Sequence, residues 1–183
     1  EVHGLVALME LTGARMPARI DVRGEPVLLA DQDRTRWDRG AIARGRAALE
    51  RADALRIGRG TYAQQAAIAE QHAIARRFED TDWHAIVECY DGLLAAGASP
   101  IVELNRAVAV AMAEGPAAGL AIADAMEASG RLAGHHLVPS VRGELLARLG
   151  RAEEARAALE DAARLTRNAT EGAVLLAKAA TAR

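Results

Sequence analysis

Apolar side chains recur at helical spacing from the first residues onward. Val2, Leu5, Leu8, Met9 and Leu11 predict a helix lying on that face, and Gly13 with Pro17 then ends it. The triplets Ile20-Asp21-Val22 and Val27-Leu28-Leu29 flank Arg23-Gly24-Glu25-Pro26, a turn composition that predicts a short β-hairpin or extended crossing near residues 19–29. Asp31 to Asp38 is polar and offers several N-cap side chains for a helix running to about Leu55. That helix is expected to bury Ile42, Leu49 and Ala52 and to expose Arg44, Arg46, Glu50 and Arg51, before Gly58 and Gly60 break the chain.

Beyond that break the pattern becomes a series of helix pairs with small residues at recurrent positions. Within Pro139–Asn168, Gly143 stands in the first helix, Gly150 at the turn, and Ala155 and Ala162 with Leu159 between them in the second. This small-small-large order matches a tetratricopeptide repeat, in which two antiparallel helices approach closely only where Gly or Ala removes bulk at the crossing. Ala107 and Gly119 take the equivalent places one repeat earlier, and Ala73 with Ala85 mark a degenerate third copy. A final helix over Thr170–Arg183 is expected to cap the stack, with Glu160 and Arg164 as a supporting pair at i and i+4. The expected fold is all-α: antiparallel helix pairs in a tetratricopeptide-like right-handed superhelix. Residues 1–59 would form an N-terminal helical subdomain and 60–183 the repeats, together one continuous domain. The competing reading is an irregular Ala-rich bundle with the same helices.

Composition supports helices. Hydrophobic residues make up 51% of the 183 positions but aromatics only 3%, so the core must be built from Ala, Leu, Val and Ile, and small side chains favour close helix packing. A chain of this length buries roughly 70% of its extended surface and needs no metal or disulfide. The single Cys89 fits a reducing cytoplasm and reads as core. No run of about eighteen apolar residues is present to span a bilayer. The net charge is −2, and eight Arg against five acids between Asp31 and Arg59 is too dilute for a nucleic-acid footprint. A helical pattern beginning at Glu1 without an initiator Met is expected of a piece of a longer chain.

There is no HExxH pair and no Walker loop, and Gly58-Arg59-Gly60 lacks a third glycine and a preceding strand. His135 and His136 are adjacent, so their rings diverge, which favours a cap or surface role over metal binding. No catalytic residue, cofactor or metal is expected, and the chain reads as a non-enzyme. The densest polar group is Asp31, Gln32, Asp33 and Arg34 with Trp37 and Asp38. One reading is a capped loop pinned to neighbouring helices. The other is a protein-recognition surface anchored by Trp37, with Tyr62 and Gln65 lining the same groove.

Four strings carry a resemblance: Glu1 to Met9 (EVHGLVALM), Asp31-Gln32-Asp33-Arg34 with Trp37-Asp38, Tyr62 with Gln65 to Ala69, and Leu104 to Val110 (LNRAVAV). In this order they resemble a group of extracytoplasmic-function RNA polymerase sigma factors whose promoter-reading regions two and four precede a long tetratricopeptide-like C-terminal extension. The chain departs from that pattern at Thr61, where the family has Pro, and at Gln64, where Leu is usual. The resemblance implies a bacterial, cytoplasmic, regulatory interaction domain controlling transcription initiation. Its implied partners are sigma regions two and four of the parent chain, core RNA polymerase and a regulatory protein. DNA would be reached only through the parent, and no membrane is involved. The alternative is a general peptide-binding scaffold using the repeat surface, where Asn105 and Arg106 would matter more than Asp31.

Overall fold

The computed structural model describes residues 1–97 and 99–182, and it is all-α, as expected. The chain divides into two units, Glu1–Gly97 and Ala98–Arg183.

In the first unit α1 (Val2–Gly13) packs on both α2 (Arg39–Ala54) and α3 (Thr61–Ile74), and α4 (Trp83–Ala95) packs on α3. Small residues decide which face of α1 turns inward. A Cβ on Gly4 would lie 2.6 Å from the Ala63 amide nitrogen, and one on Gly45 of α2 would lie 2.7 Å from Leu11 Cγ. Gly4, Ala7 and Leu11 are accordingly buried, whereas Val2 is 77% and Met9 65% exposed. The helix is where the periodicity predicts, but the face is corrected: Val2, Leu5 and Met9 do not point into the core. α1 binds α3 as closely as α2, so the first unit continues through α3 and α4 to Gly97.

The expected hairpin reduces to one isolated antiparallel bridge, Ile20 with Pro26. The amide of Val27 donates to the Arg19 carbonyl at 2.8 Å, and the Asp21 carboxylate closes the turn by accepting from the amides of Arg23 and Glu25. Pro26 offers no N–H to extend a ladder, and no strand forms among the described residues. Asp38 starts α2 by accepting from the Ala41 amide at 3.0 Å, and Ile42, Leu49 and Ala52 are buried as predicted.

The second unit comprises α5 (Pro100–Ala113), α6 (Pro116–Ser129), α7 (Leu137–Arg148), α8 (Ala152–Leu165) and α9 (Ala169–Thr181). Helices pair in sequence order, with α5 on α6, α7 on α8, and α9 against α8. The small positions sit at the crossings. A Cβ on Gly143 would lie 2.6 Å from Leu159 Cγ, and one on Gly119 would lie 2.5 Å from both the Ala107 carbonyl oxygen and Ala111 Cβ. Gly150 takes a left-handed φ of 72° at the α7–α8 turn. Asn168 caps α9, which buries Leu175 and Ala179; the end of the predicted capping helix, Arg183, lies outside the described residues. Arg164 pairs with Asp161 at 2.8 Å and not with Glu160. No described helix is long and apolar enough to cross a membrane.

Candidate functional site

The Asp31–Asp38 loop is folded against the first unit by two short 3-10 turns, Leu29–Asp31 and Arg34–Arg36. Its carboxylates are exposed, and two of them are engaged locally. Asp33 accepts from the Thr35 hydroxyl at 2.6 Å and the Thr35 amide at 2.9 Å, and these bonds hold its carboxyl below the usual range. The Ala41 amide does the same for Asp38. Asp31 is exposed at the end of its turn. Gln32 is buried and donates to the Val27 carbonyl at 3.2 Å.

Arg34 turns inward. Its Nη1 donates to the carbonyls of His72 and, at 3.0 Å, Ala75, the free acceptors at the C-terminal end of α3 where a cation also complements the helix dipole. Its guanidinium lies over the Trp37 ring, 4.6 Å from the centroid, and that of Arg15 stands at 5.9 Å. Trp37 is only 3% exposed. It therefore supports the loop from inside and cannot be the surface anchor envisaged from the sequence.

Tyr62 and Gln65 lie at the opposite end of α3 from Arg34. Ten residues separate Tyr62 from His72, about 15 Å along a helix, so the two groups do not share a groove with the loop. The Tyr62 amide donates to the Glu1 carboxylate at 3.2 Å, and the Gln65 amide group donates to the Thr61 carbonyl. An amide side chain at Gln64, the departure noted above, lies where α4 presents Gly92: a Cβ there would stand 2.3 Å from Gln64 Nε2. In the second unit Asn105 is exposed on α5 and Arg106 is half-buried.

Three basic residues absent from the sequence-based site complete this region: Arg15, Arg19 and His72. His72 is buried, edge-on to Trp83 at 5.3 Å, and desolvation reinforced by the charges of Arg15 and Arg34 lowers its pKa to about 4, so it is neutral at physiological pH. Burial likewise lowers the pKa of Arg15, helped by Arg19 and Arg34. Most of the buried polar atoms without a hydrogen-bond partner among the described residues belong to this region: Arg15 Nε, Arg19 Nε, Gln32 Oε1, Arg34 Nη2, Trp37 Nε1 and His72 Nδ1, with Thr81 Oγ1 besides. The available signal was the absence of any acid between Leu11 and Ile20 to partner Arg15 and Arg19.

A second feature adjoins the loop. Val6, Met9, Glu10 and Gly13 of α1, the capping residue Asp38 and Ala41 of α2 line an open groove of 340 Å³. Glu10 is held by Arg44 through bonds of 2.8 and 3.0 Å, which keep its carboxyl below the usual range. Elsewhere, Cys89 is buried and its thiol pKa is pushed up by desolvation. The rings of His135 and His136, expected to diverge, stack with centroids 4.7 Å apart; His135 accepts from the Leu137 amide, and His136 meets Glu171 at 3.1 Å. Among the described residues no three His, Cys, Asp or Glu side chains gather to hold a metal ion.

Residues 1–53 match a family described as a family of unknown function, DUF6596. Over 176 residues, 96% of its length, the chain is 46% identical to an uncharacterized protein of Rhizobium meliloti (strain 1021), of which it covers 41%. The chain thus spans about two fifths of that curated relative. No solved structure matches it.

Proposed function

We propose that this chain is a regulatory, protein-binding domain of an extracytoplasmic-function sigma factor, and that it docks a segment of its parent protein on the outer face of α1. One observation carries the reading. α1 is apolar on both sides: Gly4, Ala7 and Leu11 face the core, while Val2, Leu5, Val6 and Met9 are exposed. A helix apolar all round is built to be covered all round. The groove beside Val6 and Met9 is edged by Asp38 and Glu10, and Asp31 and Asp33 belong to the same loop as Asp38. An amphipathic segment with apolar residues and one or two Lys or Arg suits this combination. Tethering makes weak docking sufficient, because a linked partner experiences a roughly millimolar effective concentration.

The test is run-off transcription by core polymerase with the full-length parent, with a version truncated before Glu1, and with Val6→Glu/Met9→Glu. Because both side chains are exposed, the double substitution leaves helix content by circular dichroism unchanged. The expected result is a severalfold change in transcript in the same direction as truncation. Transcript unchanged in both variants removes the proposal.

A second reading, a peptide-binding scaffold, is favoured by α5. Ile101, Asn105 and Val108 recur at i, i+4 and i+7 and all are exposed, a stripe fitted to an apolar segment with one polar contact at Asn105 and Arg106 beside it. Substitution of Asn105 would then weaken partner binding more than substitution of Asp31.

A further inference from the structure

The cationic cluster behind the Asp31–Asp38 loop is chemically lopsided. Arg15 follows α1, Arg19 follows the 3-10 turn Met16–Ala18, and Arg34 opens the turn Arg34–Arg36. The guanidinium groups of Arg15 and Arg34 stand by one indole ring, and Arg19 lies near enough to act on the charge of Arg15. Among the described residues no carboxylate forms an ion pair with any of the three. The acids that influence Arg34 are Glu79 and Asp80, and Asp80 is already bound by Arg77 at 3.0 Å.

Four of these unpartnered atoms share a character, and Gln32 Oε1, an acceptor, stands outside it. Arg15 Nε, Arg19 Nε, Arg34 Nη2 and Trp37 Nε1 are all N–H donors, buried and without an acceptor. Protein interiors rarely leave such groups unmet, and three guanidinium groups beside a buried neutral imidazole supply positive charge with no described carboxylate in direct contact, Glu79 and Asp80 acting on Arg34 only from a distance. Each arginine is half-buried, so each retains access to solvent. What the cluster lacks is one compact, negatively charged, acceptor-rich group, and guanidinium groups bind carboxylate and phosphoryl oxygens in bidentate fashion.

We propose that Arg15, Arg19 and Arg34, backed by Trp37, form a binding site for the oxyanion group of a small molecule, a carboxylate or a phosphoryl. The inference stands apart from the sigma-factor reading, since it concerns a ligand and not a docked protein segment.

The experiment is isothermal titration of the 183-residue chain with sodium glutarate and, separately, with inorganic phosphate, each at ionic strength matched by sodium chloride. Saturable one-site binding of at least one probe is expected, with no heat from chloride beyond dilution. Glutarate alone saturating assigns a carboxylate, and phosphate alone a phosphoryl. Arg15→Gln and Arg19→Gln should each weaken binding at least tenfold. Neither side chain hydrogen-bonds to a described residue, so both variants keep their helix content, whereas Arg34 also braces α3 and is a poorer first choice. Absence of saturable binding for both probes overturns the proposal, as does equal affinity in the wild type and the two variants.

Discussion

His72 carries the residue-scale consequence of burying bases without acids. In an unfolded chain its imidazole titrates near 6.5, whereas in the folded protein desolvation and the charges of Arg15 and Arg34 bring it to about 4. Between those values the unfolded chain binds the extra proton, so stability is full above about pH 6.5 and falls as the pH drops toward 4, with no further loss from this group below that. The shift corresponds to about 3 kcal/mol, a substantial share of the 5–15 kcal/mol typical of a folded domain. Urea denaturation at pH 7.5 and pH 4.5 measures it. Replacing His72 with Gln should flatten most of the decline across that window, and an undiminished decline would assign it to other groups. The same residue shows why the candidate site was only partly legible in the sequence. Asp33 and Asp38 announce themselves as caps, because a short polar side chain before a helical run has few other roles. That Trp37 lies inside, and that Arg34 reaches His72 across 38 positions of sequence, depends on tertiary packing that no local pattern encodes.

At the scale of elements, glycine and alanine set the geometry more than large apolar residues do. Periodicity located α1 and α2, and recurrent small residues placed the helix pair within Pro139–Asn168 and the helix after it, since those positions follow from spacing. It misassigned the inward face of α1, because hydrophobic size was taken as the guide where Gly4 and Gly45 permit the closest approach. It over-read the Ile20–Leu29 segment, where too few residues pair to hold a strand. Two substitutions of identical chemistry separate crossing from propensity. Gly13→Ala meets nothing within 4 Å and adds a better helix former, so it should change stability by less than about 1 kcal/mol, in the stabilising direction. Gly119→Ala gains the same propensity but drives a methyl group to 2.5 Å from the Ala107 carbonyl and Ala111 Cβ, so α5 and α6 must separate, at a cost of about 1–3 kcal/mol. Thermal denaturation of both variants is the measurement. Equal and opposite signs are not required, but a stabilised Gly119→Ala would mean the helices cross elsewhere.

The whole molecule divides where its cores divide. The largest apolar cluster, from Ala7 to Cys89, belongs entirely to the first unit, and the clusters built on Leu104, Leu145 and Leu159 use only residues of the second. Each unit therefore has an interior of its own, which is the physical condition for independent folding. The second unit adds local order that favours this: short connections, Pro at the first turns of α5 and α6, and Asn168 capping α9. Its core is rich in Ala, which buries little area per residue, so its stability alone should be modest. Expressed by itself, a chain of residues 98–183 is expected to show the far-ultraviolet circular dichroism of a helical protein and to melt cooperatively. Because the atoms nearest a Cβ on Gly119 belong to Ala107 and Ala111 of the same unit, Gly119→Ala should destabilise this fragment by as much as it destabilises the full chain, to within about 0.5 kcal/mol. A fragment without helical signal would show that the second unit draws its stability from the first. A folded fragment insensitive to Gly119→Ala would place the stabilising contacts in α7, α8 and α9, leaving the α5–α6 pair as an appendage and the exposed stripe of Ile101, Asn105 and Val108 on a helix free to adjust to a bound peptide.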